Sequence, residues 1–202
     1  MVSFSKTFYF CFFILNMGDN MWEKLKFVTG NPHKVREASD ILECSLDQVS
    51  GLSIDEIQAS DIKKIVTHKA HQAFNALNCP VLVEDSGLIF TAWNGLPGAL
   101  VKWFEISVGC DGLLKMLEAY ENREAFAECV VAVFDGQDML LAEGKVKGKI
   151  AHDVRGINGF GWDVIFIPEH HEKTYAEMNS DEKNSISHRR MALEELNKKI
   201  KV

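Results

Sequence analysis

A short apolar stretch, Leu25-Lys26-Phe27-Val28-Thr29, stops at Gly30-Asn31-Pro32 and gives way to a helical pattern. This junction constrains the fold more than any other feature of the chain. Asn31 can cap a helix whose first position is Pro32, because a proline there gives up no needed hydrogen bond. Val35, Ala38, Ile41 and Leu42 then fall on one helical face. A strand, a tight turn and a helix therefore occupy residues 25–43, the kind of unit from which α/β sheets are built.

The chain repeats this alternation and then departs from it. A second helix fits residues 60–77, where Ile62, Ile65, Val66, Ala70, Ala73, Phe74 and Leu77 recur at steps of three and four. Pro80-Val81-Leu82-Val83 reads as a buried strand ending in Glu84-Asp85, with Ser86-Gly87 expected to turn the chain sharply. Gly95-Leu96-Pro97-Gly98 marks a loop, and Asp111 to Tyr120 predicts a helix. Ala125 to Phe134 and Met139 to Lys149 are strand-like, joined through Asp135-Gly136, a favoured hairpin turn. Asp163 to Ile167 predicts one more strand, and Ile186 to Ile200 a closing helix with Met191, Leu193, Leu196 and Ile200 as its apolar positions. Helices and strands alternate early and a hairpin comes late, so the expected fold is a mixed α/β sheet in one domain.

Composition narrows the function classes. The 202 residues suit a single core, and 13 Phe, 4 Trp and 3 Tyr exclude a disordered chain. Acidic residues outnumber basic ones 29 to 22, for a net charge of −7, which weighs against a nucleic-acid or anionic-membrane binder. Five cysteines stand singly with no Cys-x-x-Cys pair, as in a reduced, cytosolic protein. Phe8 to Leu15 is an apolar run preceded by Lys6, far short of the roughly 20 residues a membrane span needs. Its length suits the apolar region of a signal peptide, yet Asn16 to Asp19 offers no small-x-small cleavage site. The other reading is an extension, residues 1–23, ahead of a single domain over 24–202.

Four places could carry chemistry. Thr29-Gly30-Asn31-Pro32-His33-Lys34 sets free backbone N–H groups, two polar side chains and a lysine at a helix start, a ready phosphate site. The same residues also read as a plain capped helix. Glu84-Asp85 puts two hard carboxylates at a strand end, where Mg2+ could bridge them to a phosphate; two solvated turn acids are the alternative. Asn158-Gly159-Phe160-Gly161-Trp162-Asp163 flanks aromatic rings with glycine, leaving room for a planar ligand, or forms a hydrophobic turn. Lys183 and Ser187-His188-Arg189 bring cationic and donor groups to the last helix. No G-x-x-x-x-G-K-[ST] loop, zinc-protease helix or G-x-S-x-G elbow is present. Together the four describe a nucleoside triphosphate pocket.

In order along the chain, the Thr29–Lys34 motif, Glu84-Asp85-Ser86-Gly87-Leu88, Gly95-Leu96-Pro97-Gly98, Phe160-Gly161-Trp162-Asp163, Thr174-Tyr175-Ala176-Glu177-Met178 and Ser187-His188-Arg189 resemble the inosine triphosphate pyrophosphatase (Ham1) family. The resemblance covers roughly residues 24–200. It implies a long, bent mixed sheet between two lobes with the substrate in the cleft, and a homodimer. The implied activity is hydrolysis of ITP, dITP and XTP to monophosphate and pyrophosphate with Mg2+, or with Mn2+ in its place. Thr29, Gly30, Asn31 and Lys34 would then hold the triphosphate, with Lys69, Lys102 and Lys183 neutralising phosphate or fixing the nucleotide. Glu56, Glu84 and Asp85 would bind the metal, Asp85 also orienting or deprotonating the attacking water; the upstream acid could instead be Asp55. Phe160, Gly161, Trp162 and Asp163, with His188 and Arg189, would form the purine pocket, the backbone or Arg189 donating to the keto oxygen. Two alternatives are a Maf-like pyrophosphatase for modified nucleotides and a nucleotide-binding regulator without catalysis.

Overall fold

The computed structural model describes residues 21–200; the apolar run Phe8–Leu15 lies outside them. In chain order the elements are α1 (Met21–Lys24), β1 (Lys26–Val28), α2 (Pro32–Leu42), β2 (Asp47–Val49), α3 (Ile62–Leu77), β3 (Val81–Phe90), β4 (Pro97–Gly98), α4 (Val101–Leu117), β5 (Glu124–Phe134), β6 (Met139–Ile150), β7 (Phe166–Pro168), α5 (Ser180–Ile186) and α6 (His188–Ile200). Among the described residues seven strands form one mixed sheet in the order β2-β1-β3-β5-β6-β7, with β4 paired to β3. β1 runs parallel to both β2 and β3; the pairs beyond β3 are antiparallel. A mixed α/β fold was expected, and this is one.

The two helix starts follow from their caps. Asn31 Oδ1 accepts from the His33 N–H at 2.9 Å with Pro32 behind it, and Asp61 accepts from the Lys63 N–H in the same way. The long strands β3, β5 and β6 run through both halves of the molecule. At one end they separate two apolar clusters on opposite faces. Leu82, Cys129 and Val131 pack toward α2 and α6, while Val83, Val130 and Ala132 pack toward α3. At the other end Leu88, Phe90 and Ala127 join a third cluster with α4, Trp162, Phe166 and Tyr175. Trp22 is buried in the first of these clusters.

One break in the ladder positions the site. On its β1 side, β3 pairs at Val81 and Leu82, and then not until Leu88 and Ile89 meet β4. The edge between, residues 84–86, faces the turn after β1 and the start of α2.

Several elements differ from the sequence expectation. Ser86-Gly87 is not a turn: both lie inside β3, which pairs with β5 without interruption from Val81 to Phe90. Gly87 is there for space, since a Cβ would stand 2.8 Å from the Gly98 carbonyl and the Ile62 side chain. The helix expected from Asp111 begins at Val101 and is broken only at Gly109, whose φ of 69° suits glycine. Asp163 and Val164 belong to a single-turn 3-10 helix, Gly161–Val164, and β7 follows it. The closing helix is two, because Ser187 takes an extended conformation between α5 and α6. β2 was not anticipated. Its Asp47 and Gln48 are exposed, so an edge strand of three residues shows no apolar alternation to read.

Candidate active site

The β1–α2 turn forms the first wall. Thr29 is buried, its Oγ1 accepts from the Asn31 N–H at 3.1 Å, and its carbonyl accepts from Gln48 Nε2 at 2.9 Å. A Cβ at Gly30 would meet nothing within 4 Å, so the turn is open there, though Gly30 itself does not line the cavity. From the first turn of α2, Lys34 Nζ reaches the exposed edge of β3, 3.0 Å from Glu84 and 3.6 Å from Asp85.

Strand alternation sends those two neighbours to opposite faces. Glu84 points with Leu82 toward α6, is 1 % exposed, and accepts from Arg189 Nε and Nη2 at 2.8 and 3.0 Å. Burial works against its charge, but Arg189 and Lys34 outweigh burial and hold its pKa far below the carboxylate range. Asp85 points with Val83 toward α3; its side chain is 30 % exposed and its Oδ1 accepts from the Ser86 N–H at 2.9 Å.

Arg189 is the hub of this buried network. Besides Glu84 it pairs with Glu37 and donates to Ser86 Oγ at 3.3 Å. Glu37 in turn accepts from Lys183 at 2.6 Å, and Lys183 donates to Asp163 at 2.6 Å. This changes two expectations. Arg189 spends its donors on carboxylates instead of aiming them at a keto oxygen, and Lys183 is bound between two carboxylates instead of standing free for phosphate. Asp163 Oδ2 also accepts from the Phe160 N–H at 2.8 Å and so closes its own turn. Burial raises the Asp163 pKa, against the pull of Lys183.

Phe160 is half-buried at the cavity, stacked on His33 at 5.2 Å between centroids, with Lys183 Nζ 4.8 Å above its ring. Trp162 instead turns into the core beside Phe166 and His188. His188 is fully enclosed; burial, then Arg189 and Lys183, hold it neutral, its pKa well below the ordinary 6.5.

These groups meet in one cavity of about 260 Å3, lined by Asn31, Lys34, Asp85, Phe160, Gly161 and Asp163. Lys102, Trp162, Lys183, His188 and Arg189 complete its walls; Thr29 and Glu84 sit behind them. A smaller adjoining cavity shares Asp85 and Lys102 and adds Glu56 and Lys69. Lys69 Nζ lies 3.9 Å from Glu56, and burial together with Lys34 lowers its pKa. Lys34 differs: burial opposes its charge, but Glu84 and Asp85 more than compensate and raise its pKa.

For a metal, the donor chemistry is suitable. Asp85 and Glu56 present accessible hard oxygens to one small cavity, which fits a divalent cation that takes its other ligands from water and phosphate. Among the described residues no three acidic, histidine or cysteine side chains converge on one point, so protein ligands alone do not complete such a site.

Glu37 and Glu105 were missed by sequence reading. Each lies three residues beyond a lysine that reading had singled out, Lys34 and Lys102, and therefore on the same helical face. That spacing was the available signal.

The chain is 46% identical over 174 residues to the inosine triphosphate pyrophosphatase of Batrachochytrium dendrobatidis, covering 85% of this chain and 90% of that one. To the enzyme of the same name from Schizosaccharomyces pombe it is 43% identical, covering 84% and 91%. The solved Ham1 protein of Coxiella burnetii superposes with a TM-score of 0.74 at 31% identity, covering 88% and 98%. The Ham1 family model matches residues 25–199, nearly all of the structure described above, and the chain belongs to the Ham1 family.

Proposed function

We propose that the chain hydrolyses non-standard purine nucleoside triphosphates (ITP, dITP, XTP) at the α–β phosphoanhydride, giving the monophosphate and pyrophosphate and so cleansing the nucleotide pool. The observation that carries this reading is the joining of three parts in one cavity. These are an open β1–α2 turn with Lys34, an accessible Asp85 carboxylate, and the half-buried Phe160 ring.

Breaking a phosphoanhydride demands charge neutralisation and a positioned water more than a covalent nucleophile. Asn31 and Lys34, at the N-terminal end of α2, bind the phosphates. Lys34 and Lys69 repel each other across the mouth, and an arriving polyanion relieves that repulsion. Asp85, fixed by the Ser86 N–H, orients the attacking water and takes its proton. Glu56 and Asp85, with Glu84 behind them, would hold a divalent metal, Mg2+ or in its place Mn2+. When bound, that ion neutralises charge on the leaving pyrophosphate. Phe160 stacks on the base. Arg189, Lys183 and Glu37 keep this wall in position.

The reading extends to a single domain over residues 24–202 with an extension before it, a cytoplasmic setting, a homodimer, and no nucleic-acid or membrane partner. It is supported by the net charge of −7 and by exposed Trp103 and Ile106 on α4, apolar surface that a second copy could cover. Among the described residues no helix is long and apolar enough to cross a membrane.

The test is pyrophosphate release from ITP, XTP, dITP, GTP, ATP and dUTP with Mg2+. Turnover of the first three, at least about tenfold above the others, is expected. Equal rates on ITP and GTP would defeat the cleansing role. Activity confined to modified nucleotides would point to a Maf-like enzyme, and intact ITP binding without turnover to a regulator.

A further inference from the structure

Helix α4 presents Lys102 and Glu105 to the cavity, one helical turn apart. The Glu105 carboxyl reaches the turn that carries Phe160 and Asp163: a Cβ on Gly161 would stand 2.8 Å from its Oε1. Gly161, at φ 60°, carries none and leaves that oxygen uncovered by a side chain. Oε1 is buried and accepts no hydrogen bond; among the described residues it is the one carboxylate oxygen in that condition.

Nearby cations do not answer it. Lys183 is held by Glu37 and Asp163, and Arg189 by Glu84 and Glu37. Lys102, on the same helix, leans over the Trp103 ring at 5.9 Å. The remaining ionisable neighbours are Asp163 from the facing turn and Cys110 one turn further along α4, whose thiol lies 3.8 Å from the Gly161 carbonyl. Burial and then Asp163 push the Glu105 pKa up to about 7. Leaving a buried acceptor unpaired is costly, which implies a donor on whatever fills the cavity.

A carboxylate is misplaced against phosphate, and this one stands against the turn that carries Phe160, the ring assigned to the base. Glu105 therefore faces the nucleoside. A 6-keto purine carries a hydrogen on ring N1, whereas adenine offers a lone pair there. We propose that Glu105 is a specificity-determining residue whose Oε1 accepts the ring N–H of a 6-keto purine and disfavours adenine. This rests on the triphosphate-hydrolase reading above.

The experiment measures kcat and KM for ITP and ATP with the full chain, E105L and E105Q, from about pH 6 to about pH 8, spanning the Glu105 titration. E105L should raise KM for ITP about tenfold while kcat changes little, lowering the ITP-to-ATP preference to match. E105Q keeps an acceptor oxygen and should recover most of that preference. The wild-type KM for ITP, divided by that of E105Q so that titration of the substrate cancels, should fall as pH rises.

An unchanged ITP-to-ATP preference in E105L would overturn the proposal. So would a KM ratio that rises with pH, which would mark Glu105 as a repelling anion; this second readout stands if E105L does not fold. Wild-type protein inactive on both nucleotides would remove the hydrolase reading and this one together. Wild-type activity with E105L indistinguishable from it would remove this one alone.

Discussion

Glu84 and Asp85 are consecutive residues on one strand, yet they belong to two different kinds of site. Glu84 lies in a buried floor where Glu37, Arg189, Lys183 and Asp163 satisfy one another, each less than a tenth exposed. Asp85 lies at an open mouth with Glu56, Lys69 and Lys102, where side chains keep unspent bonding capacity. The floor resembles a structural element written in charges: breaking one member strands the others in a medium that cannot solvate them. The mouth can be altered cheaply in stability and expensively in chemistry. A reacting group has to remain accessible, whereas a positioning group has to be immobile.

Replacing Arg189 with Met would test the contrast most severely. It leaves Glu84 and Glu37 buried without their principal cation, and should cost about 3–5 kcal/mol in urea unfolding. A loss below about 1 kcal/mol would show that water reaches the floor after all.

Asp85→Asn should do the reverse. Turnover should drop roughly 10²–10⁴-fold while unfolding free energy stays within about 0.5 kcal/mol and ITP still binds. Near-normal pyrophosphate release would remove Asp85 from the catalytic role.

Acid should act on the floor in two stages. The folded pKa of His188 is depressed, so its contribution to stability is complete above the ordinary 6.5 and declines as pH falls below it. The folded pKa of Glu84 is depressed too, and its contribution is lost as pH falls below the ordinary 4.5. Asp163 and Glu105, whose pKa values are raised, act in the opposite sense and soften the decline. Urea midpoints measured against pH should show His188→Gln lacking the first stage; a slope identical to wild type there would contradict the assignment.

The smallest effect is expected away from both regions. Lys63 pairs with Glu143 at 2.5 Å across exposed surface, and Lys63→Ala should cost under about 1 kcal/mol, with activity unchanged. A larger penalty would mean that surface pairs here carry more than their usual share.

Much of this was legible beforehand. The β1–α2 junction, the stripe of α3 and the β5–β6 hairpin rest on local rules of capping, periodicity and turn chemistry, and all are present. The failures share a cause. Ser86-Gly87 looks like a turn in isolation, but pairing with β5 on one side holds it extended, and close approach of Gly98 accounts for the glycine. Short edge strand β2 has no local signature because its partner, not its side chains, makes it a strand.

At the site, sequence by itself determined the inventory: which anions, cations, rings and flexible turns exist, and that they could serve a nucleotide. Only the tertiary structure decided the allocation. It joined Arg189 to Glu84 and Glu37 across more than a hundred residues, confined Lys183 between two carboxylates, and left Asp85 accessible. The physical reason is that charge pairing depends on distance and burial, and neither is a property of neighbours in the chain.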